Sequence, residues 1–139
     1  MLPEGKGRVL VVDDEPAIRA LVAKIVERAG FGVDVAADGA EAIQKVNQTE
    51  YAVVVLDLMM PAVSGYEFVE FLQQRIGKRP SVIVITAAAE ASLTRQLDPM
   101  VVHSIVRKPF DINVLADLVT AAASAMPRAE DTNVLQFRR

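Results

Sequence analysis

The sequence predicts a three-layer α/β sandwich, a parallel sheet of five strands with helices on both faces. Two observations carry that reading. Valine-rich runs bounded by turn residues recur at 8–12, 51–57 and 81–86, and apolar runs of this length read as strands buried on both faces. Between them lie segments whose apolar residues fall at helical spacing, and strands alternating with helices imply a parallel sheet with right-handed crossovers. The chain has 139 residues, enough for one domain with one core. Hydrophobic residues make up 52% and aromatic residues only 5%, so that core is aliphatic.

The elements follow in order. Residues 1–7 are a flexible lead-in, and the domain runs over 8–125. Arg8 to Val12 form the first strand, and Asp13-Asp14-Glu15-Pro16 turn the chain into a helix, with Pro16 in the first turn where a missing N–H costs nothing. Ile18, Leu21, Val22, Ile25, Val26 and Ala29 share one stripe of that helix, and Gly30 ends it. Gly32 to Ala36 read as a short edge strand. Asp38-Gly39 is a turn into a second helix, Ala40 to Val46, with Ala42, Ile43 and Val46 inward. Tyr51-Ala52-Val53-Val54-Val55-Leu56-Asp57 is the central strand.

A loop from Met59 to Gly65 leads to a third helix with Phe68, Val69, Phe71 and Leu72 on its apolar face. Ser81 to Thr86 are the fourth strand. Ala87 to Leu97 are helical by propensity, and Asp98-Pro99 breaks the segment. Val101 to Val106 read as the fifth strand. Asp111 caps a last helix carrying Ile112, Leu115, Leu118, Val119 and Ala122 inward. From 126 to 139 the tail is polar and expected to be flexible; it is too short for an output module.

Composition excludes several functions. A formal charge of -3 is the wrong sign for bulk nucleic-acid binding. With no cysteine, disulfides, thiolate metal sites and cysteine nucleophiles are all excluded. The N-terminus lacks the apolar core of a signal peptide and no apolar run is long enough for a bilayer, so a cytoplasmic location is expected.

Three carboxylates, Asp13, Asp14 and Asp57, together with Thr86 and Lys108 before Pro109, lie just after expected strands. In a parallel sheet those positions share one edge, where open α/β folds bind ligands. Clustered carboxylates raise each other's pKa unless a cation neutralises them. Oxygen-only ligands suit a hard cation, and magnesium in particular. A divalent ion beside a lysine and a hydroxyl is equipment for handling a phosphoryl group, which a carboxylate can accept as an acyl phosphate.

The bland readings are separate ones. Asp13-Asp14 can be a helix cap and dipole partner, Lys108 a solvated lysine, and Thr86 a plain strand end; only their joint appearance after successive strands favours a site. His103 in the fifth strand reads as structural, and Met59-Met60 as loop packing.

The ordered set VLVVDDEP, VVVLDLMMP, VIVITA and VRKPF resembles the receiver domain of bacterial two-component response regulators, over about residues 8 to 124. The resemblance implies a flavodoxin-like sheet in the order 2-1-3-4-5. It implies Asp57 as phosphoacceptor, with a histidine kinase or histidine phosphotransfer protein as donor. Asp13, Asp14, Asp57 and the backbone carbonyl of Met59 would hold Mg²⁺; Thr86 and Lys108 would contact phosphoryl oxygens, and the Lys108–Pro109 bond would be cis. The chain would catalyse only its own phosphorylation and dephosphorylation. It would act as a monomer or phosphorylation-dependent dimer, with no contact to nucleic acid or membrane.

The chain departs from that family in places. Receivers usually carry tyrosine or phenylalanine three residues before the lysine, where this chain has Ile105, and often Gly-Ala where it has Val101-Val102. An apolar patch on the face formed by the Ala87–Leu97 helix, the fifth strand and the last helix would mark an output partner or dimer contact. Met59 and Ala88 occupy positions that tune hydrolysis in the family, and apolar side chains at both imply a long-lived phospho-Asp57. The rival within the family is a degenerate receiver acting as a phosphorylation-independent interaction module. Haloacid-dehalogenase phosphatases carry D-x-D after the first strand, which DDEP does not match, and flavodoxins need a hydroxyl- and glycine-rich phosphate loop there.

Overall fold

The computed structural model describes residues 7–58, 64–75, 79–86 and 97–124. Five strands, β1 (Arg8–Val12), β2 (Gly32–Ala36), β3 (Val53–Asp57), β4 (Ser81–Thr86) and β5 (Val102–Arg107), form one sheet. Its order is β2-β1-β3-β4-β5 and every neighbouring pair is parallel. Four helices are described: α1 (Pro16–Arg28), α2 (Gly39–Gln48), α3 (Gly65–Gln73) and α4 (Ile112–Ser124). The expected lead-in apart from Gly7, the expected helix at 87–97 apart from Leu97, Met59, Met60, Ala88 and the tail at 126–139 lie outside the described residues.

Alternation along the strands builds two cores. Leu10, Val12, Val54, Leu56, Val82 and Val84 face α2 and α3, meeting Ala42, Val46, Phe68, Val69 and Leu72. Val9, Val11, Val53, Val55, Ile83 and Ile85 face the other way, against Val22, Ile25 and Val26 of α1 and Leu115 and Val119 of α4. The three central strands, buried on both faces, contribute side chains worth roughly 1.5–3 kcal/mol each on burial, and that doubled burial is why they read as continuous valine runs.

Local sequence sets the helix ends. Pro16 opens α1, and Gly30 beyond its end has φ 103°. Asp38 caps α2 by accepting the Glu41 N–H at 2.8 Å. Ser64 and Glu67 form a reciprocal capping box on α3. Asp111 accepts the Asn113 and Val114 N–H groups at 2.7 and 3.1 Å. Two expected inward residues face out instead: Leu21 is 42% and Ile112 is 53% exposed. Both line a groove between α1 and α4, so the buried arc of each helix is narrower than its apolar stripe.

β5 begins one residue later than the sequence suggests and carries an irregularity. Val82 pairs with Val102 but Ile83 pairs with Ser104, so His103 is an extra residue on this edge strand. The bulge lets Val102 and Ile105 both reach the α2/α3 core while Val106 reaches the other.

Candidate functional site

Parallel pairing brings the strand ends to one edge. β1 and β3 are neighbours although β2 lies between them in sequence, so the chain reverses its direction of sheet-building there and opens a crevice. Val12 pairs with Leu56, which sets the next residues, Asp13 and Asp57, side by side. Carboxylate oxygens of Asp13, Asp14 and Asp57 all lie within 4.8 Å of one another. Asp13 and Asp57 are buried, at 3% and 5% exposure, and Asp14 is exposed.

Lys108 reaches this cluster from the end of β5. Its backbone N–H donates to the Thr86 carbonyl at 2.9 Å, extending the β4–β5 ladder one step beyond the Thr86–Arg107 pair. Its Nζ lies 3.7 Å from Asp57 Oδ2, 3.8 Å from Asp13 Oδ2 and 3.7 Å from Glu15 Oε1. These are charge contacts longer than a hydrogen bond. The Lys108–Pro109 peptide is cis. Thr86 closes β4, buried at 2% exposure.

Among the described residues the cluster is short of positive charge. Burial pushes the Asp13 carboxyl above its ordinary range, and the neighbouring Asp14 and Glu15 charges push the same way; the Glu15 N–H and Lys108 only partly oppose them. Three carboxylates facing one ammonium, with oxygen the only ligand atom, form a donor set that fits a hard divalent cation.

The geometry of Asp13 and Lys108 differs from a helix cap and a solvated lysine, while Thr86 ends β4 and His103 is buried in β5. The N-cap of α1 is Glu15, whose side chain makes no capping bond, and the Asp13 carboxylate instead accepts the Glu15 N–H at 2.9 Å within its own turn. The Lys108 side chain is only 18% exposed. His103 is buried in β5 with Nδ1 2.6 Å from Ser104 Oγ, outside the acid cluster, and burial lowers its pKa.

Three contributors escaped the sequence reading. Glu15 supplies a third carboxylate to Lys108, beside Asp13 and Asp57. Arg19 Nη1 donates to the Asp13 carbonyl at 2.8 Å. Gly65 approaches the chain just past Asp57: its N–H bonds the Leu58 carbonyl at 3.1 Å, and a Cβ there would lie 2.8 Å from the Asp57 carbonyl oxygen and 2.6 Å from Leu58 Cα. Only the glycine gave a signal, standing three residues before an aromatic helix face. The apolar patch expected from Val101-Val102 is not formed by them, since both are buried in the α2/α3 core, and Ile105 is half-buried against it.

Comparison with known proteins gives a concordant result. A family model described as the response regulator receiver domain matches residues 9–120. The transcriptional regulatory protein ResD of Bacillus subtilis is 32% identical over 126 residues, covering 91% of this chain and 50% of that protein. The transcriptional regulatory protein TcrA of Mycobacterium tuberculosis is 33% identical over 108 residues, 78% of this chain and 42% of that protein. The chain thus spans about half the length of these curated relatives. Among solved structures, the chemotaxis response regulator CheY4 of Vibrio cholerae superposes with a TM-score of 0.74 at 26% identity, over 83% of this chain and 97% of that one. A response regulator signal receiver domain from Bermanella marisrubri gives 0.77 at 28%, over 86% and 99%.

Proposed function

The chain belongs to the response regulator receiver family, and from that membership we propose that Asp57 is its phosphoacceptor, with a histidine kinase or histidine phosphotransfer protein as donor. The observation that supports this most is the position of Lys108 Nζ, 3.7 Å from Asp57 Oδ2 and 3.8 Å from Asp13 Oδ2. One cation there faces two buried acids and sits where a phosphoryl group on Asp57 would add negative charge.

In the reaction a carboxylate oxygen of Asp57 attacks phosphorus, the P–N bond of the donor phosphohistidine breaks, and the imidazole leaves with its electron pair. Lys108 then pairs with a phosphoryl oxygen in place of Asp57 Oδ2. Thr86, at the adjacent strand end, supplies a hydroxyl for another. Asp13, Asp14 and Asp57 would hold Mg²⁺, which when bound neutralises charge on the transferring group. The carbonyl of Met59 belongs to the same proposed ligand set.

The chain on this reading catalyses only its own phosphorylation and dephosphorylation, and its output is a partner's differential affinity for two states. It works in the cytoplasm; no helix among the described residues is long and apolar enough to cross a membrane. The rival interaction-module reading gives no role to a lysine held between buried acids.

The test is incubation with Mg²⁺ and acetyl phosphate, followed by intact mass. Wild type is expected to gain a single phosphoryl adduct that does not form when EDTA is present from the start, and Asp57→Asn to gain none. An adduct on Asp57→Asn, or none on wild type, overturns the proposal.

A further inference from the structure

We infer that Arg19 is a positioning residue for the Mg²⁺ site, holding the β1–α1 turn in the geometry that presents Asp13 and Asp14 together. The inference rests on the receiver reading above, since it concerns the ion that reading places among the three acids.

Arg19 is the one side chain of α1 that is bonded to the turn before it, among the described hydrogen bonds. Its backbone N–H donates to the Glu15 carbonyl at 2.9 Å while its guanidinium donates to the Asp13 carbonyl at 2.8 Å. Within the span it brackets, Asp13 Oδ1 takes the Glu15 N–H at 2.9 Å, and the Asp13 N–H is fixed to the Ala36 carbonyl of β2 at 3.2 Å. Every one of these bonds restrains Asp13 or Glu15, and Asp14 lies between them. The turn therefore has little freedom except through Arg19, whose loss leaves the part-buried Asp13 carbonyl without its charged donor.

Charge and position make opposite demands on the same residue. A cation near an Mg²⁺ site weakens binding by repulsion, so if Arg19 acted through its charge, removing it would tighten the metal. If it acts by holding the turn, removing it loosens the metal, as loss of groups that orient ligands does. The cation that acts on the Asp13 carboxyl is Lys108, whereas the Arg19 contact is to the backbone of that residue. The geometry points to position.

The experiment is an Mg²⁺ titration of the full chain followed by amide NMR shifts, on wild type, Arg19→Met and Arg19→Lys. The thermal midpoint and the acetyl phosphate reaction at saturating Mg²⁺ are recorded in parallel. Arg19→Met is expected to bind Mg²⁺ about tenfold more weakly, and Arg19→Lys to recover part of the loss. The loss of phosphorylation rate in Arg19→Met is expected to be greatest at limiting Mg²⁺ and to shrink as Mg²⁺ is raised, because a turn held by bound metal depends less on the guanidinium. A variant that binds Mg²⁺ as well as or more tightly than wild type overturns the inference, as does a lowered midpoint with an unchanged Mg²⁺ affinity. Should Arg19→Met fail to fold, Arg19→Gln carries the same sign test. Wild type that binds no Mg²⁺ refutes the phosphoacceptor reading instead, so the two failures are distinct.

Discussion

Two clusters of carboxylate, cation and neighbours sit at different heights on the same sheet, and they are built to different standards. Toward the start of the strands, Asp34 on edge strand β2 takes two bonds from Arg8, at 2.9 Å and 3.3 Å, and a third from the Tyr51 hydroxyl at 2.7 Å. The Arg8 bond holds the Asp34 carboxyl below its usual range, against a smaller opposing effect of burial. At the other end, Asp13 and Asp57 are nearly inaccessible and share one lysine at distances too long for a hydrogen bond. Asp13 is pushed up rather than down. The first cluster is satisfied and ties β1, β2 and the approach to β3 together. The second leaves the buried Asp13 under-compensated, which is what marks the cluster as a candidate site.

The contrast can be broken or sharpened by substitution, and the largest effect belongs to the scaffold. Gly65→Ala drives a methyl into the Leu58 backbone beside Asp57, with an expected loss of about 2–3 kcal/mol in urea unfolding. A wild-type midpoint would mean the approach of α3 to the site is not tight. Next comes one change made at both clusters. Without Mg²⁺ at pH 7, Asp13→Asn is expected to stabilise by about 1 kcal/mol through relief of burial and repulsion, and Asp34→Asn to destabilise by about 1 kcal/mol. Shifts of the same sign would erase the distinction.

The smallest effect is read in pH. The Tyr51 phenol is raised to about 12, first by burial and then by the Asp34 bond. Its folded value lies above its unfolded one near 10, so its contribution is complete below about pH 10 and is lost as pH rises toward 12. Tyr51→Phe should flatten that alkaline limb and cost about 1 kcal/mol at neutral pH. In acid the two aspartates oppose each other. The raised Asp13 carboxyl relieves its penalty as pH falls through its folded pKa, while the depressed Asp34 carboxyl loses its contribution only at lower pH.

Much of this was legible in the sequence because the central strands are buried on both faces and leave no ambiguity of period. The ends of β1, β3 and β4 fall where the apolar runs end, and Lys108 closely follows the fifth run, so the sequence assigns Asp13, Asp57, Thr86 and Lys108 to one edge. Leu21 and Ile112 misled because a helical stripe tells which way a helix faces but not how far the opposing layer extends. Arg19 was illegible for a different reason. α1 carries several charged side chains, and nothing in their spacing says which one folds back onto the preceding turn. β5 was read one residue out because an inserted residue breaks the two-residue repeat on which strand reading depends.

That insertion has a consequence for where the lysine arrives. With His103 as the extra residue, Thr86 stands opposite Arg107 and Lys108 is the first residue past the last strand pair. In an unbroken ladder Val106 would stand opposite Thr86, and the ammonium would leave the strand one peptide farther on, with its side-chain parity inverted relative to the acids. Position 103 is thus a phase shifter between the packed middle of the edge strand and its charged tip. Elsewhere in β5, adding or removing a single codon would swing the cation to the wrong side of the sheet.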